Sequence, residues 1–477
     1  MSLVVRCRVV VAAFLLLLPG FADAHAFGAR YDLPLPLGLY LVAAGMAVAV
    51  SFLAALVFLK RSASGGAIGI DIAIPRRLAR IMGIVLAGLG LAVFVVVMVT
   101  AMFGPQEPTK NLATVTVWVL WWVGFLLVSA LAVELWPAVD PFRRIYLLCA
   151  HMVHRDPGQA FAKLPGAAGW LAPAGMLAMG WLELVSNWSE DPRAMALLIG
   201  AYATVAVAAG LVFGMSWFAL ADPLGRIFAS ISQVAPVTFV DGKVLRVRPL
   251  GEGLISAGPA KPGEVALVAC LIATVLFDGI SETPAWAATL EFASESRVLR
   301  PLLLLLRDHG VDLLKALMTM GLVSTVVGFL GLYWLLAYAM RACSGAPVST
   351  KLVGTTLVGS LLPIAVAYHF AHYVSYLLLA GQLAAPAATD PFGLGWDLLG
   401  IGSRMLDIGV IGAKQVWWIA VASLVSGHSL SVLVAHRRAL ALFGSAQAAA
   451  RSQVPMLVAM VGLTMLSLWI LAQPVIA

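Results

Sequence analysis

Long apolar runs, separated by short basic or turn-rich stretches, set the pattern of this chain. They recur near 37–59, 81–103, 113–135, 168–187, 196–220, 264–281, 316–340, 354–380, 411–435 and 454–473. Each is close to the ~20 apolar residues a helix needs to cross a bilayer. The pattern predicts an all-α, polytopic transmembrane helix bundle of about ten spans. The first 24 residues read differently. Arg6 and Arg8 precede a short apolar core from Val9 to Leu18, a Pro19-Gly20 break and an Ala22-Asp23-Ala24 cleavage site. That is a bacterial-type signal peptide, expected to be removed. The mature chain then begins at His25 and forms one membrane domain over 25–477.

Composition agrees. Of the 477 residues, 62% are hydrophobic and only 11% charged, against roughly 25% charged in soluble domains. The net charge of +7 therefore reports topology and not affinity for nucleic acid. Basic residues gather in alternate loops: Lys60, Arg61, Arg76, Arg77 and Arg80; Arg143, Arg144, Arg155 and Lys163; Arg226 to Lys261; Arg341 and Lys351; Arg437, Arg438 and Arg451. By the positive-inside rule those loops are cytoplasmic. The expected location is the inner membrane, crossed many times, with both mature termini outside.

Three connecting stretches carry patterns of their own. Val237–Val247 holds two β-prone runs around Asp241-Gly242, which predicts a small type I′ hairpin. Arg300-Pro301 followed by Leu302 to Leu306 predicts a helix at the outer membrane interface. Thr389 to Asp397 is turn chemistry. Asp140-Pro141 and Asp222-Pro223 echo one another at the inner ends of two spans. The echo reads as an internal repeat or as two ordinary helix stops.

The unusual chemistry is Tyr368-His369-Phe370-Ala371-His372-Tyr373, midway along an apolar run. Residues three apart share a helix face, and ionisable groups at membrane depth default to a functional reading. At 1.5 Å per residue, His369 lies roughly 22 Å above the inner end of its span. Glu183 and Asp278 come to about the same height in theirs, with His372 and Glu282 one turn nearer the outside. Two imidazoles and the carboxylates then occupy one level of three helices, a donor set suited to zinc, iron, manganese or copper. The expected metal ligands are His369, His372, Asp278, Glu183 and the exported His25. Asp278 and Glu282, four apart, are the expected catalytic pair, with Tyr373 and His428 as supporting residues. The bland alternative is hydrogen bonding for packing alone. No CxxC, Walker A, GxSxG, HExxH or dinucleotide fingerprint occurs.

Taken together, His25 to Pro36, Phe277-Asp278-Gly279, the Tyr368–Tyr373 block, Asp390-Pro391-Phe392-Gly393 and Gly427-His428 resemble bacterial integral-membrane proteins of the fenitrothion hydrolase family. The resemblance runs along nearly the whole mature chain. It implies hydrolysis of an organophosphorus triester at the cell envelope, with an apolar small-molecule substrate reaching the site through membrane lipid, and it allows a second membrane subunit. Three functions compete at this point: a membrane-embedded, metal-dependent hydrolase, a metal-ion or proton-coupled transporter, and a haem- or copper-binding subunit of an envelope complex.

Overall fold

A computed structural model describes residues 35–58, 69–240, 242–398, 400–402 and 406–473. The expected signal peptide and His25 lie outside these. The fold is all-α apart from one small sheet, and nine of the described helical segments are long and apolar enough to cross a membrane. The first elements are α1 (Leu37–Phe58), β1 (Ile70–Ala73), α2 (Arg76–Phe103) and α3 (Leu112–Leu131). Short α4 (Trp136–Val139) and α5 (Pro141–Met152) lead to α6 (Leu171–Leu184) and α7 (Pro192–Phe213). Next come α8 (Met215–Leu220), α9 (Pro223–Ile231), β2 (Val237–Val240), β3 (Val244–Val247) and α10 (Glu252–Ser256). The second half contains α11 (Pro262–Ser281), α12 (Pro284–Glu295), α13 (Leu299–Asp308) and α14 (Leu313–Ser344). It ends with α15 (Thr350–Leu357), α16 (Leu362–Ala380), α17 (Ala384–Thr389), α18 (Ala413–Phe443) and α19 (Ala446–Leu471).

Burial sorts these helices into a centre and a rim. In α11 and in the α15–α17 run, 83% of the most apolar stretch is buried, against 6% in α2. A helix apolar all round and buried all round is a core helix of the bundle, whereas one apolar and bare faces lipid. The residues read as the site, on α11 and α16, therefore sit in the middle of the molecule.

Two expected spans depart from simple crossings. The stretch near 168–187 is a 3₁₀ turn at Gly166–Trp170 followed by the fourteen residues of α6. At ~2.0 and ~1.5 Å per residue that is about 31 Å, just enough for the hydrocarbon layer. The stretch near 196–220 breaks at Gly214, where φ is 64°, a left-handed value that glycine adopts without strain.

The sheet has order β1-β3-β2, all antiparallel. β2 and β3 form the expected hairpin, but Val240 pairs with Val244, so three residues connect them and not the two of a type I′ turn. β1 was not expected, because four residues between spans carry too little alternation to register. Its register sets Asp71 opposite Arg246, bridged by two 2.7 Å hydrogen bonds. Arg246 holds the Asp71 carboxyl below the usual carboxylate range, chiefly through those bonds. A lowered native pKa stabilises the fold above the unfolded value and is lost as pH falls through the lowered one. The pair is also exposed, and exposed pairs contribute little. Arg246→Ala is therefore expected to leave thermal stability in detergent unchanged at pH 7. A clear drop in the melting temperature would show the sheet to be a structural anchor.

Candidate functional site

Asp278 stands three residues from the end of α11, and its local sequence explains how it meets α16. Phe277 is fully buried and packs edge-on against Trp286, with ring centroids 5.3 Å apart. Gly279 lets α16 approach: a Cβ there would sit 2.8 Å from the Tyr368 hydroxyl and 2.7 Å from Ile470. That closeness brings His372 Nε2 to 3.0 Å and the Tyr373 hydroxyl to 2.6 Å from the same Asp278 oxygen, Oδ2. Only 11% of the His372 side chain and 14% of the Asp278 side chain are exposed. A buried carboxylate needs donors. Tyr373 donates one hydrogen bond and His372, through Nε2–H, the other.

Around this group the aromatic and imidazole rings form a continuous chain of contacts, mostly edge to face. Tyr373 lies between the two imidazoles, 4.7 Å from His372 and 4.8 Å from His369. Tyr368 stacks on His372 at 6.0 Å. His369 meets the edge of Trp122 at 5.8 Å. Trp122 belongs to an eleven-residue π-helical stretch of α3, Val115–Phe125. Such stretches are rare and concentrate at functional sites, yet periodicity alone gave no sign of this one.

The residues singled out from sequence divide here. His372, Asp278 and Tyr373 come together. Glu282 caps α11 one turn beyond Asp278, exposed, and interacts electrostatically with Asp278 and His372. Glu183 on α6 interacts in the same way with Asp278 and Tyr373. Its helix is held by the Trp181 Nε1 bond of 2.8 Å to Thr319 on α14. His369 was expected to face Asp278. It interacts electrostatically with Asp278 and His372, while its ring packs on Trp122 and lines a narrow cavity of about 10 Å³ with Leu126, Met176, Ile231, Leu271 and Val275. It is 3% exposed, and its Nε2 has no partner among the described residues. His428 is fully buried and bonds back to Leu424 O at 2.8 Å in its own helix. Among the described residues, no three His, Cys, Asp or Glu are grouped so as to hold a metal ion. The donors present do not make a ready cradle for the expected metal, because Asp278 Oδ2 is already engaged by His372 and Tyr373.

A second polar group lies in the other half of the bundle. Asp140 and Asp222 cap α5 and α9, accepting from the backbone N–H groups of Phe142 and Arg143 and of Gly225. The Tyr202 hydroxyl donates to Asp222, and the Phe142 and Tyr202 rings are 4.8 Å apart. Both carboxylates are almost wholly buried, at 3% and 1% exposure. Tyr202 lies ten residues into α7, about 15 Å along it. Gly90, against which the Val139 carbonyl packs, lies about 21 Å along α2. The two Asp-Pro junctions therefore meet at mid-helix height, where short α4 and α8 have folded back into the bundle. Sequence showed the echo but not this doubling back.

Compared with protein-family models, curated proteins and solved structures, the chain matches none.

Proposed function

We propose that this protein is a proton-coupled membrane transporter in which Asp278, His372 and Tyr373 form the protonation centre. The observation that carries this reading is the single carboxylate oxygen of Asp278 accepting from both an imidazole and a phenol inside the bundle. Intramembrane carboxylate–histidine groups are the usual parts of proton relays. His372 accepts a proton as imidazolium beside the carboxylate, and Glu282 at the rim exchanges it with the aqueous side. The broken helices meeting at Asp140 and Asp222 support the same reading, since discontinuous helices are a recurring transporter device.

The test is a proton flux. In vesicles containing the purified protein and a lumenal pH dye, an imposed potential is expected to shift lumenal pH faster than in empty vesicles. Equal traces would reject transport. Tyr373→Phe should retain part of the flux, because the carboxylate–imidazole bond survives without the phenol.

Metal-dependent hydrolysis of an apolar organophosphorus triester, which the fenitrothion hydrolase resemblance implies, is the competing reading. It requires a divalent metal bound in stoichiometric amount, with His369 and His372 needed for its retention. Elemental analysis of purified protein and of the His369→Ala/His372→Ala variant, alongside a fenitrothion turnover assay, separates the two. Turnover with bound metal and no proton flux would replace the transport reading.

A further inference from the structure

Beyond the last turn of α11, the chain makes two helices that the protonation centre does not use, α12 and α13. α13 has three distinct flanks. Leu303 is buried, with Leu299 and Leu306 half-buried beside it, so this flank rests on the bundle. Val298, Leu302 and Leu305, spaced four and three apart, share a second flank. They are 82%, 50% and 54% exposed. Arg300 and Arg307, seven apart, share a third flank and are also exposed.

The height of α13 follows from α14, which it precedes by a short turn. Lys315 and Arg341 stand near the two ends of α14, 26 residues and therefore ~39 Å apart. A bilayer including its headgroups is ~40–45 Å thick. Lys315 thus marks headgroup level, and α13 lies beside it. α14 itself leaves large apolar side chains bare, among them Met320 and Val327 at 55% and 63% exposure.

We propose that α13 is a membrane-surface helix whose Val298–Leu302–Leu305 flank is covered by acyl chains of the leaflet at the Asp278 end. Arg300 and Arg307 stay on the opposite flank, among anionic headgroup phosphates and water. The occupant is lipid because the flank is apolar, lies at headgroup height, and is set opposite a basic flank, the arrangement of an interfacial helix. Through α12, which Thr283 caps and which packs Trp286 against Phe277, this helix ties the rim of the protonation centre to the bilayer surface.

Photo-crosslinking of the full-length protein in its native membrane tests this. A diazirine analogue of leucine is placed at 302, at 305, and at 308 as the control, and adducts are identified by mass. Phospholipid adducts at 302 and 305 are expected to exceed those at 308 by on the order of tenfold, as befits an apolar face sunk beneath the headgroups. Mostly water adducts at 302 and 305 would overturn the proposal. Cross-links to a second polypeptide would also overturn it, and would mark a subunit interface in place of a lipid one. Neither result depends on whether the protein moves protons.

Discussion

Asp278→Asn is expected to lower proton flux in vesicles by on the order of 100-fold or more, the scale at which a positioned proton-transfer group contributes. Asparagine is the decisive substitution because it keeps the shape of aspartate. Its carbonyl can still accept from His372 Nε2 or the Tyr373 hydroxyl, now 3.0 and 2.6 Å from Oδ2. The fold therefore survives while the negative charge and the exchangeable proton are lost. Asp278→Leu removes the acceptor altogether and leaves two buried donors unpaired, each costing roughly 1–3 kcal/mol. Loss of flux in the leucine variant alone would mean that the group matters for folding and not for proton movement.

A large loss of stability is expected at Gly427. A Cβ there would press on the Ala367 methyl and lie 2.8 Å from the Pro363 carbonyl oxygen. Both neighbours belong to the buried first half of α16, and neither is the end of a flexible chain that could move aside. The contact also holds α18 in register, with Ser423 donating to Ala367 O at 3.3 Å. Overpacking of this kind costs about 1–3 kcal/mol, and more where backbone must move. Gly427→Leu should abolish a monodisperse, folded species in detergent or lower its melting temperature sharply. Gly88→Ala is the control: nothing lies within 4 Å of a Cβ there, and alanine gains roughly 0.5–1 kcal/mol over glycine within a helix. A Gly427→Leu protein as stable as the control would contradict the close packing of α16 on α18.

Most of the bundle was legible in the sequence because its spans are long, apolar and bounded by charge. What escaped were features that leave hydropathy unchanged. Val115–Phe125 is as apolar wound as a π-helix as it would be wound as an α-helix, and Met215–Leu220 reads as the end of a span whether it continues or folds back. Depth counting put Asp278 level with His369 and placed His372 one turn nearer the outside, yet His372 is the histidine that bonds Asp278. A residue count gives height but not direction: the three-residue step between His369 and His372 also rotates the side chain by ~60°, so His369 still feels the Asp278 charge while its ring packs on Trp122. The Asp140 and Asp222 junctions were visible as a motif, but a helix cap looks the same at a surface and in the middle of a bundle.

Infrared difference spectroscopy between two pH values tests the protonation centre most directly. Purified wild-type protein is predicted to show a carboxyl band and a histidine ring signature that change together as the proton moves. Both should vanish in Asp278→Asn, and the histidine signature alone should vanish in His372→Ala. Wild-type and Asp278→Asn spectra that cannot be told apart would contradict the account.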